Sequence, residues 1–175
     1  MNVVILGLSI TSSWGNGHAT TYRALTKGLQ AGGHRVRFME RDEPWFADHR
    51  DLAHPPYCSV TLYDSIEDLR RVHAATIEQA DVVIVGSSVP QGAEVIRTVL
   101  EYARGVTAFY DIDTPVTVRA LRDGDATYIE PRQVPLFDIY LSFTGGPMLE
   151  RLERELGARR ARPLYCSVDP FEYAP

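Results

Sequence analysis

Two patterns in the sequence predict an α/β fold built on a doubly wound, mostly parallel sheet. The first is a set of short apolar runs, Val3-Val4-Ile5-Leu6 and Val82-Val83-Ile84-Val85 above all, which are β-branched and continuous rather than alternating. Such runs suit strands buried on both faces, as in a parallel sheet. The second is the amphipathic stretch that follows most of these runs, which supplies the crossover helix a parallel pair requires.

The elements follow in order. The first strand leads into a polar, glycine-bearing loop, Ser9 to His18. A helix from His18 to Ala31 carries Tyr22, Leu25 and Leu29 on one face and stops at Gly32-Gly33. His34 to Glu40 alternates and reads as a second strand. Arg41 to Tyr57 is a long connection with three prolines, and connections of that length are uncommon unless they serve a function. Ser59 to Tyr63 is a third strand. Asp64 and Ser65 can cap a helix from Ile66 to Gln79, with Ile66, Leu69, Val72 and Ile77 toward the core. Asp81–Gly86 is the fourth strand, Gly92–Ala103 a helix, and Val106–Tyr110 the fifth strand. Pro115–Arg122 forms a short helix capped by Thr114. Asp123 to Pro135 is polar and irregular. Asp138–Phe143 is the sixth strand, Gly146–Leu156 a helix closed by Gly157, and Pro163–Cys166 a last strand.

Composition narrows the function. The chain has 175 residues, enough for one domain with its own core. Apolar residues make up 45% and charged residues 23%, with a net charge of -5, so nucleic acid is not expected as the main partner. No apolar run approaches the ~20 residues of a membrane span. The start leads straight into a strand, which leaves no room for a signal peptide, and the cysteine usage is consistent with a reducing cytoplasm. The two cysteines, Cys58 and Cys166, have no metal spacing and read as buried free thiols of a reducing compartment. No metal site is expected.

Ligands of doubly wound sheets sit beyond the carboxyl ends of the strands, where the strand order reverses. The candidate site residues are therefore those at the strand exits. After the first strand come Ser13, Gly15, Asn16, Gly17 and His18. After the fourth comes Ser87 with Ser88, after the fifth Asp111 and Asp113, and after the sixth Thr144, Gly145 and Gly146. The first of these loops, with a helix N-terminus behind it, suits phosphate or another anion. His18 is the candidate proton acceptor or transition-state partner. Asp111 and Asp113 share a face if the backbone stays extended, and could bind sugar hydroxyls or orient His18. The expectation is that His18 and Asp111 lean into one hollow. Gly145-Gly146 can be an anion nest or a tight turn before Pro147. Glu150 and Arg154 read as a solvated helix face. Gly15-x-Gly17 with Glu40 imitates a dinucleotide fingerprint, but the glycines lie well past the strand end and Thr20 replaces the third. No Walker loop is present.

Leu6-Gly7-Leu8-Ser9 through Gly15-Asn16-Gly17-His18-Ala19-Thr20, then Tyr110-Asp111-Ile112-Asp113-Thr114-Pro115, then Leu141 to Pro147 occur in a telling order. In that order the whole chain resembles the N-terminal half of a GT-B glycosyltransferase, nearest to the CgeB-like, spore-maturation-protein group. The loop ending in His18 is similar to the first loop of the lipid-linked N-acetylglucosamine transferase of peptidoglycan synthesis. Ser167-Val168-Asp169-Pro170 is similar to the Gly-Val-Asp-Pro segment that leads into the second domain, with Ser167 in place of the glycine.

The resemblance implies a Rossmann-like, acceptor-side domain over residues 1–166, with 167–175 beginning an interdomain linker. It implies sugar transfer from a nucleotide-sugar donor to a small-molecule or glycan acceptor, with no tightly bound cofactor and no metal. His18 and Asp111 would be the catalytic residues, the other loop residues would bind substrate, and a C-terminal donor-binding domain would complete the site. Trp45, Phe46 and Tyr57 of the long connection would help select the acceptor. Two other classes remain in view: a nicotinamide- or flavin-binding oxidoreductase domain, and a non-catalytic module that pairs with a separate donor-domain chain.

Overall fold

The computed structural model describes residues 1–125 and 128–171. In chain order the elements are β1 (Asn2–Gly7), α1 (His18–Ala31), β2 (Arg35–Arg41), α2 (Pro44–Ala47), β3 (Ser59–Tyr63), α3 (Ile66–Glu78), β4 (Val82–Gly86), α4 (Gly92–Tyr102) and β5 (Val106–Asp111). They continue with α5 (Thr114–Asp123), a 3₁₀ turn (Pro131–Leu136), β6 (Ile139–Ser142), α6 (Pro147–Leu156) and β7 (Ala161–Pro163). Every strand pair is parallel. The order β3-β2-β1-β4-β5-β6-β7 is doubly wound, as predicted, and the winding reverses between β1 and β4. Residues 172–175 of the expected linker lie outside the described residues.

Alternation along the strands sorts the core into two layers. Val4, Leu6, Val83, Val85, Phe109 and Tyr140 face one way and pack with residues of α3, α4, α5 and α6. Val3, Ile5, Phe38, Ile84 and Tyr110 face the other way, against Tyr22, Leu25 and Leu29 of α1. Both faces are buried, which is why these strands read as unbroken apolar runs. At Gly86, the end of β4, a Cβ would collide with the Tyr22 hydroxyl, so a glycine here lets α1 lie close against the reversal point.

Several local expectations are corrected. Val72 is exposed, because the buried stripe of α3 runs through Ile66, Leu69, His73 and Ile77, a 3.6-residue period that repeated steps of three drift away from. Asp113, not Thr114, occupies the cap position of α5, and Thr114 is already helical. The last strand is Ala161–Pro163, so Cys166 falls in the irregular segment beyond it and is exposed; Cys58 is half-buried. Burial pushes the Cys58 thiol up to about 11, so it stays protonated and inert near neutral pH. The long connection holds the short α2, and part of the stretch read as irregular folds into the 3₁₀ turn. Glu150 and Arg154 do pair on an exposed face, at 3.6 Å.

Candidate active site

The first loop is shaped by polar groups that satisfy one another. The buried Glu40 carboxylate at the end of β2 accepts from the Ile10 and Thr11 amides at 2.8 and 3.1 Å and from the Thr11 hydroxyl at 2.6 Å. Asn16 donates to the carbonyls of Ser9 and Ser12 and accepts from the His18 amide at 3.0 Å. Gly15, at φ 57°, makes the turn between them, and Gly17 is the cap residue of α1. Ser13 donates from its amide and hydroxyl to Asp51, at 2.8 and 2.9 Å. Asp51 is held in turn by both arms of the Arg23 guanidinium, which keeps its carboxyl well below the usual range. Ser13, Asn16 and the two glycines thus fix the path of the loop.

That path delivers His18 to the winding reversal. Its Nε2 lies 3.0 Å from Asp113 Oδ2. The same Oδ2 accepts from the hydroxyls of Ser87 at 3.2 Å and Ser88 at 3.1 Å, so β4 and β5 both contribute to the cluster. Ser88 is at φ 63°, a left-handed conformation a non-glycine residue adopts only under constraint, and here it directs the hydroxyl at Asp113. Ser87 also accepts from the Ile112 amide, which ties the turn after β5 to the end of β4. Among the described residues no donor reaches Asp113 Oδ1, and the side chain is 32% exposed, against 13% for His18.

Burial lowers the His18 pKa, and the Asp113 charge and hydrogen bond only partly oppose it. The imidazole is therefore neutral near pH 7. With its proton on Nε2 toward Asp113, Nδ1 keeps a lone pair, and that atom is buried without a partner among the described residues. The Tyr22 hydroxyl, one helical turn on, is likewise buried and unpartnered. The pair can hold a hydroxyl at the free carboxylate oxygen and take up its proton.

Asp111 does not share this hollow. It is the last residue of β5 and follows Phe109 onto the opposite face of the sheet, where it is fully buried. Its Oδ1 accepts from the Asp113 amide at 3.1 Å and the Thr117 hydroxyl at 2.8 Å, and its Oδ2 from the Tyr140 hydroxyl at 2.6 Å. Burial pushes its pKa up to about 6 despite these bonds. The chain turns out of the strand at Ile112, so the two-residue alternation that would align Asp113 with Asp111 ends there.

Thr144, Gly145 and Gly146 lie after β6. Thr144 is linked through Ser142 to Thr114, at 2.9 and 2.8 Å. Gly145 leaves room for the Tyr165 hydroxyl, and Gly146 at φ 63° turns the chain into α6. This loop makes the tight turn; no hydrogen bond joins it to His18 or Asp113 among the described residues. Among those residues no group of three or more His, Cys, Asp or Glu could hold a metal ion, and no helix is long and apolar enough to cross a membrane.

No family model matches the sequence, and no curated protein matches it. Solved structures do match the fold. An α-glucosyltransferase in complex with UDP and a 13-mer DNA containing a HMU base superposes with a TM-score of 0.66 at 14% identity, covering 98% of this chain and 44% of its own. An α-glucosyltransferase in complex with UDP gives 0.63 at 11% identity, with 98% and 45% covered. The chain thus spans under half the length of these proteins, and what it shares with them is the fold.

Proposed function

We propose that this chain is the acceptor-side half of a glycosyltransferase of the GT-B kind, in which the His18–Asp113 pair accepts the proton of the attacking hydroxyl. The observation that carries the reading is that pair, seated where the sheet's winding reverses, with Asp113 Oδ1 open to a donor. In the reaction the acceptor oxygen bonds to the anomeric carbon of a nucleotide sugar as the bond from that carbon to phosphate breaks. The nucleoside diphosphate leaves, and the acceptor's proton passes to the pair. Ser87 and Ser88 hold the Asp113 carboxylate in place, its Oδ1 receives the proton, and the neutral imidazole keeps its Nε2–H on Oδ2. The donor would be bound by a second domain across a cleft, as the sequence resemblance to the CgeB-like group implies. The coverage of under half of the α-glucosyltransferase chains is consistent with such a partner domain.

The dinucleotide reading is disfavoured by Glu40. A ribose-binding acid must present free oxygens, whereas this carboxylate is fully buried and engaged by Ile10 and Thr11. The test is release of nucleoside diphosphate from a panel of nucleotide sugars by the protein carrying this domain, with glycoside acceptors present. Acceptor-dependent release that falls about 100-fold or more in His18→Ala supports the proposal. Saturable acceptor binding without release would favour the non-catalytic module, and tight NAD(P) or flavin binding would favour an oxidoreductase.

A further inference from the structure

Beside the His18 loop lies an open cleft of about 430 Å³ lined by Ser13, Trp14, Asp48, His49, Arg50 and Asp51. That volume falls within the range of small-molecule sites. Trp14 stacks on the His49 imidazole, ring centroids 4.5 Å apart and planes inclined at 26°, yet is 55% exposed. The indole thus offers an apolar face at the cleft that the flat C–H side of a ligand can cover.

The platform is rigid. Ser12 donates to the His49 carbonyl at 2.8 Å, the Leu52 amide to the Thr11 carbonyl at 3.0 Å, and Arg50 Nε to the Thr11 hydroxyl at 3.2 Å. With the Ser13–Asp51–Arg23 clamp, these bonds staple the loop carrying Trp14 to the connection carrying His49. A ligand would meet a preformed surface and lose little in ordering it.

The charges around the platform restrict what fits. Arg50 is paired with Asp42, and Arg23 with Asp51, so the cations at this cleft already face carboxylates. Asp48, exposed at the rim, has a carboxylate with no partner among the described residues. A flat apolar face beside a free carboxylate suits a ring with C–H groups on one side and hydroxyl donors at its edge. It repels a phosphate. Trp14 precedes His18 by four residues, so the two α-carbons lie within ~14 Å of each other.

We infer that the Trp14–His49 pair seats an uncharged sugar ring of the acceptor, with Asp48 taking its hydroxyls. This rests on the glycosyltransferase reading, and its test reads binding alone. The chain has two tryptophans, so a fluorescence change present in the native chain and lost in Trp14→Ala is that of Trp14. The probes are methyl glycosides of glucose, galactose, mannose and N-acetylglucosamine, with uridine and a short DNA oligonucleotide as the contrasting arms. The expected result is a saturable change in Trp14 fluorescence with at least one glycoside at millimolar concentration. In parallel, saturation-transfer NMR should lose that glycoside's signal in Trp14→Ala, and Asp48→Asn should weaken binding about threefold or more. Absence of saturation with every glycoside, saturation by uridine or the oligonucleotide alone, or glycoside binding unchanged in Trp14→Ala would each overturn it. Glycoside binding without sugar transfer would leave this inference standing and remove the catalytic reading. Transfer unaffected by Trp14→Ala would do the reverse.

Discussion

Two carboxylates a single residue apart end β5 in different surroundings. Asp113 is partly open, holds one bare oxygen to solvent, and gathers His18, Ser87 and Ser88 on the other. Asp111 is sealed beneath α5 with both oxygens occupied by Tyr140, Thr117 and the Asp113 amide. The contrast separates two uses of the same functional group. An acid that must exchange protons with a substrate needs an unfilled oxygen, whereas one that anchors a chain turn is saturated by its neighbours. By this criterion Asp113 fits the reactive role proposed for it, and Asp111 is the support that holds the turn on which Asp113 sits.

The comparison breaks most visibly in activity. Asp113→Asn keeps the shape but removes the charge, and transfer should fall about 100-fold or more while Tm moves by no more than about 2 °C. Steady-state kinetics with parallel calorimetry decide it; a comparable loss of Tm would move Asp113 into the structural class. Asp111→Ala should do the opposite in stability. It strips partners from two buried hydroxyls and one amide, at a cost of about 3 kcal/mol, which for a chain of this size lowers Tm by roughly 6–12 °C. Urea denaturation measures it, and a change below about 1 kcal/mol would mean the cage is not sustaining the turn.

The layered sheet, its winding and most element bounds were legible in the sequence because period and β-branching act locally. The place of the first loop, with His18 at its end opening α1, was legible for the same reason. What was not legible depends on where the chain bends. Pairing His18 with Asp113 rather than Asp111 required knowing that the strand ends at Asp111 and turns at Ile112. One signal was present: Asp111 follows Phe109 by two, which assigns it to that residue's face while the strand lasts. Glu40 resembled a ribose ligand by its place after the second strand, and only the loop folded across it reveals its bonds to Ile10 and Thr11. The Trp14–His49 stack joins residues 35 positions apart through a connection without periodicity, and no local pattern encodes it.

The two acids should also part in their pH dependence. Asp111 has a folded pKa of about 6 against 3.8 for the free group. The native state therefore binds more protons than the unfolded state between those values, and this group's contribution to stability is present below pH 4 and lost as pH rises through 6. Relative to Asp111→Asn, which does not titrate, the native protein should lose roughly 2 kcal/mol between pH 4 and pH 7. Paired denaturation curves across that range test it, and parallel curves would show that Asp111 is ionised throughout. Transfer activity should follow a different group: its acid limb belongs to His18, whose lowered pKa places the fall below pH 6.5.

The smallest expected effect is the most discriminating for the site's construction. Ser88 holds a left-handed backbone at φ 63° while its hydroxyl donates to Asp113. Glycine adopts that conformation freely, so Ser88→Gly relieves roughly 1 kcal/mol of backbone strain. Against this stand the loss of one partly exposed hydrogen bond and the added entropy of the unfolded glycine, each of similar size. Stability should stay within about 1 kcal/mol of the native value, whereas transfer should fall because one of the three groups fixing the Asp113 carboxylate is gone. If strain at Ser88 served only the fold, stability and activity would move together; if it serves the carboxylate, they separate. A Ser88→Ala variant completes the test, since it keeps the strain without the hydroxyl and should lower both quantities.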